Sequence, residues 1–174
     1  MATKAQRATD EKSVKLWGYV PQAMDYILAA GCVAMLGAMS LAIWRGRAEL
    51  ALVPVTYPVH FGTLAIALAL TPVLLLRAKG DKAHRIMGYV WIAAMVTTAI
   101  DTFFIRDLND GGFSLIHLLS ILTLFVCWRI VASARAGNHL AHRGHVRGIV
   151  IGALLVAGFF TFMFNRLFAQ WIAM

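Results

Sequence analysis

The sequence predicts an all-α, polytopic membrane protein, a bundle of five transmembrane helices in which helices two to five form the core. Composition is the first reason: 60% of the 174 residues are hydrophobic and only 14% are charged, too little polar surface to cover a soluble globule of this length. The second is segmentation, because five apolar stretches each approach the ~20 residues that a helix needs to cross a ~30 Å hydrocarbon core. The third is the basic residues, which give a net charge of +8 yet fall in the short gaps between apolar stretches. That distribution reports membrane topology and argues against a nucleic-acid partner.

Residues 1–16, mixed in charge and poor in apolar side chains, read as a polar cytoplasmic tail, and residues 17–174 as the five-helix domain. The first segment spans Met24–Trp44, with Asp25 expected at the interface. The run Leu28 to Cys32 has the look of a lipoprotein cleavage site but lacks the ~7–15 apolar residues that must precede one. The second segment spans Val55–Leu76, with Pro54 and Pro58 suited to a helix entrance. The third covers Ile86–Ile105, the fourth Phe113–Ala134 and the fifth Gly148–Ala169. Gly148 and Gly152 in the fifth predict close helix packing. Cys32 and Cys127 lie in apolar runs and predict packing, not a disulfide. Trp44, Tyr57, Trp91, Trp128 and Trp171 are expected mostly at interfaces.

The gaps set the orientation. Lys4, Arg7, Lys12 and Lys15 in the tail, Arg77, Lys79, Lys82 and Arg85 after the second segment, and Arg135, Arg143 and Arg147 after the fourth fall on one side. By the positive-inside rule the N-terminus is cytoplasmic and the C-terminus outside.

Depth then sorts the polar residues, since each titratable group in hydrocarbon costs about 2.5–3.5 kcal/mol and calls for a partner or a task. His60 lies about 5–7 residues into the second helix from the outside, His117 about five into the fourth, and Asp101 near the outer end of the third. His84 stands at the cytoplasmic entrance of the third helix, and His139, His142 and His145 crowd that of the fifth. A helical bundle can hold a haem between two facing helices with a neutral imidazole from each as axial ligand. His60 with His117 would ligate an outer haem, and His84 with His142 or His145 an inner one. Arg85 and Arg143 stand beside the inner pair, where they could meet haem propionates. This layout, over about residues 55 to 165, resembles the transmembrane di-haem b-type cytochromes of the ascorbate-reducible kind. A non-haem metal on His84, His142 and His145 is a further option.

The stretches KGDKAHRIMGYVW, FSLIHLLSILTL and AHRGHVRGIVIGALLVAGFFTFMFNRL are similar to the signature stretches of an uncharacterised bacterial family of integral-membrane proteins, over about residues 56 to 168. The resemblance implies the five-helix fold, a bacterial cytoplasmic membrane, and recurring positions at His84 with Arg85, His117, and His142 with Arg143. Phe164-Asn165-Arg166 departs from the family pattern, so the fifth helix is expected to end differently here.

Each site has a plainer alternative. His60 can hydrogen-bond a neighbouring helix, and His117 can be satisfied by Ser114 and Ser120 at helical spacing. His84 can serve as an interface anchor, and Asp101 can pair with Arg106. The leading functional expectation is a b-type haem protein, with one or two haems, that transfers electrons across or within the membrane between a quinone or redox partner protein and an acceptor. The alternative is a cofactor-free scaffold subunit, as a homo-oligomer or within a larger membrane complex. A transporter is disfavoured because the bilayer midplane carries no titratable residue.

Overall fold

The computed structural model describes residues 21–106, 112–163 and 166–173, so the polar tail and the junction at 164–165 lie outside the described residues. The chain is an all-α bundle with five helices long and apolar enough to cross a membrane. We label these α1 (Ala23–Arg45), α2 (Thr56–Leu76), α3 (Lys82–Asp101), α4 (Leu115–Arg135) and α5. Helix α5 is composite: it is α-helical over His139–Ile149, π-helical over Val150–Val156 and α-helical again over Ala157–Phe160. A short α6 (Leu167–Ala173) completes the order.

The helices start where local chemistry can satisfy their free N–H groups. Gly80 (φ 84°) and Gly137 (φ 70°) turn the chain in the left-handed region that favours glycine, and Asp81 and Asn138 come next as N-caps. Asp81 accepts the backbone N–H of His84 at 2.7 Å, and Asn138 accepts that of Ala141 at 3.0 Å. Helices α3 and α5 therefore begin at Lys82 and His139, earlier than hydropathy alone places them at Ile86 and Gly148. The fifth helix also stops at Phe160 instead of Ala169, and α6 takes up the remainder.

The first helix belongs to the core, which corrects the expectation of a core confined to helices two to five. Its buried positions Asp25, Leu28, Cys32, Met39 and Ala42 have a heptad-like spacing that faces the other helices. The inward stripe of α4 is small and polar, with Ser120, Thr123, Cys127 and Ser133 buried, as helix association in lipid favours. Large apolar residues such as Ile27, Leu41, Leu118, Leu122 and Trp128 point outward, a surface suited to a lipid bilayer. Both cysteines are free and buried.

Hydrogen bonds fix the register of α2 against α3. The hydroxyls of Thr63 and Thr98 meet at 2.6 Å, and the Trp91 indole N–H donates to Thr71 Oγ1 at 2.9 Å. Trp91 and Trp171 are thus core residues, 4% and 0% exposed, and not interface anchors. Trp171 donates to Glu49 at 2.8 Å, and its ring lies against Gly46 just beyond the end of α1. A Cβ at Gly46 would fall within that ring. Gly46→Ala should therefore displace α6 and cost about 1–3 kcal/mol, read as a lower melting temperature of the solubilised protein and greater exposure of Trp171 in fluorescence quenching.

Candidate functional site

The two ends of the bundle differ in chemistry. At the end where α1, α3 and α5 begin, Asp25 stands in the first turn of α1 and is completely buried within the bundle. Its carboxylate accepts from Arg143 at 2.9 Å through one oxygen and from Arg147 at 2.9 Å through the other. Arg147 also donates to Gln22 at 2.9 Å. Residues 143 and 147 are one helical turn apart, so both guanidinium groups face α1. Arg143 is thereby engaged by a carboxylate.

Around this ion triad gather Arg77, Lys79, His84 and His142. Arg77 donates to Asp81 at 2.6 Å. Lys79 Nζ donates to the carbonyls of Leu74 and Leu75 at the end of α2, the second at 2.8 Å. Burial pulls Lys79 down from its usual range to about 8; Asp25 opposes the shift and the nearby Arg143 and Arg77 reinforce it. Asp81 titrates below the usual carboxylate range, first because it accepts the His84 N–H and then because of Arg77.

The histidines of this end separate clearly. His142 Nδ1 lies 3.0 Å from the Ile130 carbonyl, and because a carbonyl only accepts, the neutral ring presents an Nε2 lone pair. His84 lies near His142, Lys79 and Arg77, and its Nδ1 is buried with no hydrogen-bond partner among the described residues. His145 instead lines a recess of about 150 Å³ between α4 and α5, beside Gly148 and Gly152. Those glycines open a groove, since a Cβ at either would meet nothing within 4 Å. His139 and Arg85 are exposed. Among the described residues no group of three His, Cys, Asp or Glu side chains converges as a metal site, which removes the triad His84, His142 and His145.

Toward the opposite end a cavity of about 450 Å³ lies within the bundle and reaches all five long helices and α6. Its walls are mainly apolar, with His60, Thr98, Thr102, Ser120 and Thr123 among the polar groups and Arg166 and Gln170 at the α6 side. That size and lining suit a small lipophilic ligand. The π-helical stretch of α5 borders it through Ala153 and Leu154, and the Ala157 N–H reaches back to the Gly152 carbonyl. Such wide turns are frequent at functional sites.

His60 is 19% exposed and its Nδ1 faces Asp101 Oδ2 at 3.6 Å, a pairing that replaces the expected one of Asp101 with Arg106. Both atoms are buried and have no hydrogen-bond partner among the described residues. Arg106 donates to the Phe103 carbonyl at 3.1 Å and stacks on Phe113 at 5.0 Å. His117, 3% exposed, occupies the first turn of α4, where its Nδ1 accepts the Ser114 backbone N–H at 2.9 Å. The neutral ring therefore carries its proton on Nε2. His117 packs against Phe103 and Phe113 and is not among the described residues lining the cavity. Gly62 is exposed and likewise stands apart from the cavity.

No protein-family model, curated protein or solved structure matches the chain. The motif positions His84, Arg85, His117, His142 and Arg143 thus take their roles from this geometry.

Asp25→Asn should cost about 3–5 kcal/mol, because it leaves two partly buried guanidinium groups without their carboxylate, seen as a loss of thermal stability in detergent. A second expectation concerns pH. Lys79 titrates near 8 in the folded chain against about 10.4 when unfolded. The unfolded chain binds more protons between these values, so stability rises as pH climbs through that window. Acylation of Lys79, monitored by mass spectrometry, should show a rate midpoint at about pH 8.

Proposed function

We propose that the protein binds a single b-type haem in the cavity, with His60 as axial ligand, and serves electron transfer in the bacterial cytoplasmic membrane, its basic end cytoplasmic. The observation that carries this reading is the His60–Asp101 pairing at the cavity edge. At 3.6 Å the carboxylate acts on the imidazole by charge alone, and a small closing movement would let it accept from Nδ1 and leave Nε2 as the ligating atom. Arg166 and Gln170 supply a cation and an amide donor suited to propionates. When bound, the haem supplies one-electron chemistry at a potential set by its ligand and by burial. The apolar walls would exclude water from a bound group, while the Thr102 and Thr161 hydroxyls donate to helix carbonyls.

This reading narrows the bis-histidine expectation to one haem. His117 has its Nδ1 committed to the Ser114 N–H, and His84 and His142 border neither the cavity nor the smaller recess. The same observation favours a second reading, a quinone head group. A quinone needs one proton-exchanging group at its carbonyl oxygen, which the His60–Asp101 pair can be, and no second axial ligand.

The test is the absorption spectrum of the detergent-purified protein expressed with ample haem, oxidised and then dithionite-reduced. A Soret band and a sharp reduced band at about one haem per chain are expected, lost in His60→Ala and kept in His117→Ala. Folded, colourless protein that releases a quinone on solvent extraction would move the assignment to the second reading. Colourless protein free of quinone, purifying with another membrane protein, would leave the scaffold role.

A further inference from the structure

The cavity beside His60 lies between two ends of the bundle that are each tied by side chains. At the basic end Asp25 joins α1 to Arg143 and Arg147 of α5. At the other end Arg45 donates to the Ile172 carbonyl at 2.5 Å, and the rings of Phe61, Phe168 and Trp171 pack with centroids 4.6 to 6.1 Å apart. The flank is looser. Around the bundle α1 packs on α2, α2 on α3 and α3 on α4, and α1 meets the π-helical stretch of α5. Helix α4, by contrast, meets α5 chiefly through His139–Ile149, so among the described residues their seam loosens beyond Ile149.

The smaller recess, of about 150 Å³, lies along this seam, and Leu119, Thr123 and Ala153 line both it and the cavity. The two spaces therefore meet at those three side chains. Gly152 stands about 20 Å along α5 from its start at His139, at ~1.5 Å per residue, within a hydrocarbon core ~30 Å thick. Irregular backbone and charged side chains are excluded from lipid-facing positions at that depth, so acyl chains and not water meet the recess. The three residues at the junction carry one hydroxyl and no charge, and an apolar molecule passes them without stripping water from a charged group.

We propose that the cavity exchanges its ligand with the bilayer sideways, through the seam between α4 and the outer part of α5, so that the ligand is a molecule dissolved in the membrane. Leu119, Thr123 and Ala153 form the throat, and the recess is its vestibule. The inference rests on the reading of the cavity as a ligand site and holds for either ligand named for it, since a haem and a quinone both partition into lipid.

The test places the full chain in phosphatidylcholine vesicles in which part of the lipid carries a diazirine at the end of one acyl chain, with labelled residues mapped by mass spectrometry after illumination. Label is expected at Thr123, only 7% exposed, as well as at the outward-facing Leu118. Gly152→Leu places its Cβ where nothing lies within 4 Å and its side chain in the recess, and should remove the Thr123 label while keeping that at Leu118. Gly62→Leu, at an equally unobstructed glycine of α2, should change neither. The route is overturned if Thr123 stays unlabelled while Leu118 is marked, or if its label survives in Gly152→Leu. It is equally overturned if a water-soluble diazirine marks Thr123 more strongly than the lipid does, because entry is then from the aqueous phase. Failure of the haem reading shows separately, as folded protein without a Soret band in which Thr123 is still labelled from the bilayer.

Discussion

A carboxylate with no exposed surface, held by two guanidinium groups from the far end of the sequence, is the constraint on which this bundle is built. Asp25 lies on α1 and Arg143 and Arg147 on α5, so the triad joins the first long helix to the last. Lipid tails give apolar helices little reason to prefer one another, and packing and polar contacts must choose the partners. A buried ion pair is weak evidence for net stability but strong evidence for register, because any other alignment leaves a charge unpaired. With α1 and α5 pinned in this way, α2 and α3 are held to each other by the Thr63–Thr98 and Trp91–Thr71 bonds. The first helix thereby becomes part of the core and not a peripheral anchor.

The other end closes by a different means. There Trp171 lies on Gly46 and reaches Glu49, so α6 folds back over the end of α1. Between these two closures the helices do not meet fully, and the cavity occupies the gap. The π-helical run of α5 matters here. Each wide turn accommodates an extra residue and rotates the next turn relative to a straight α-helix. It allows α5 to meet Asp25 at one end and border the cavity with small residues, Ala157 and Gly158, toward the other.

Much of this architecture is legible in the sequence. Five apolar runs of spanning length give the helix count, and the depths of His60 and Asp101 put them in one layer, where they do pair. The departures have a common physical origin. Hydropathy places a helix start where polar residues end, yet a backbone starts a helix where its N–H groups are capped. Gly80-Asp81 and Gly137-Asn138 are capping signals of that second kind, and they extend α3 and α5 into residues that hydropathy assigns to loops. A start at His139 puts Arg143 and Arg147 on one helical face at the depth of Asp25. The triad is therefore readable from capping and periodicity. The α6 closure is not, because nothing in the sequence around Gly46 or Trp171 states that they touch.

The histidines show where depth stops being informative. His60 and His117 share a layer, and His84 and His142 share another, so position alone suggests matched pairs of ligands. What an imidazole can do depends instead on the group that meets Nδ1, for that partner decides which nitrogen keeps the proton. Ser114 gives His117 a backbone N–H and so consumes its acceptor, whereas Ile130 offers His142 a carbonyl and so preserves the lone pair on Nε2. The Asp101 carboxylate lies 3.6 Å from His60 Nδ1, beyond hydrogen-bonding distance, and of these rings only His60 also borders the cavity. Room beside the ring, and not depth in the bundle, is therefore what distinguishes His60 from the other three.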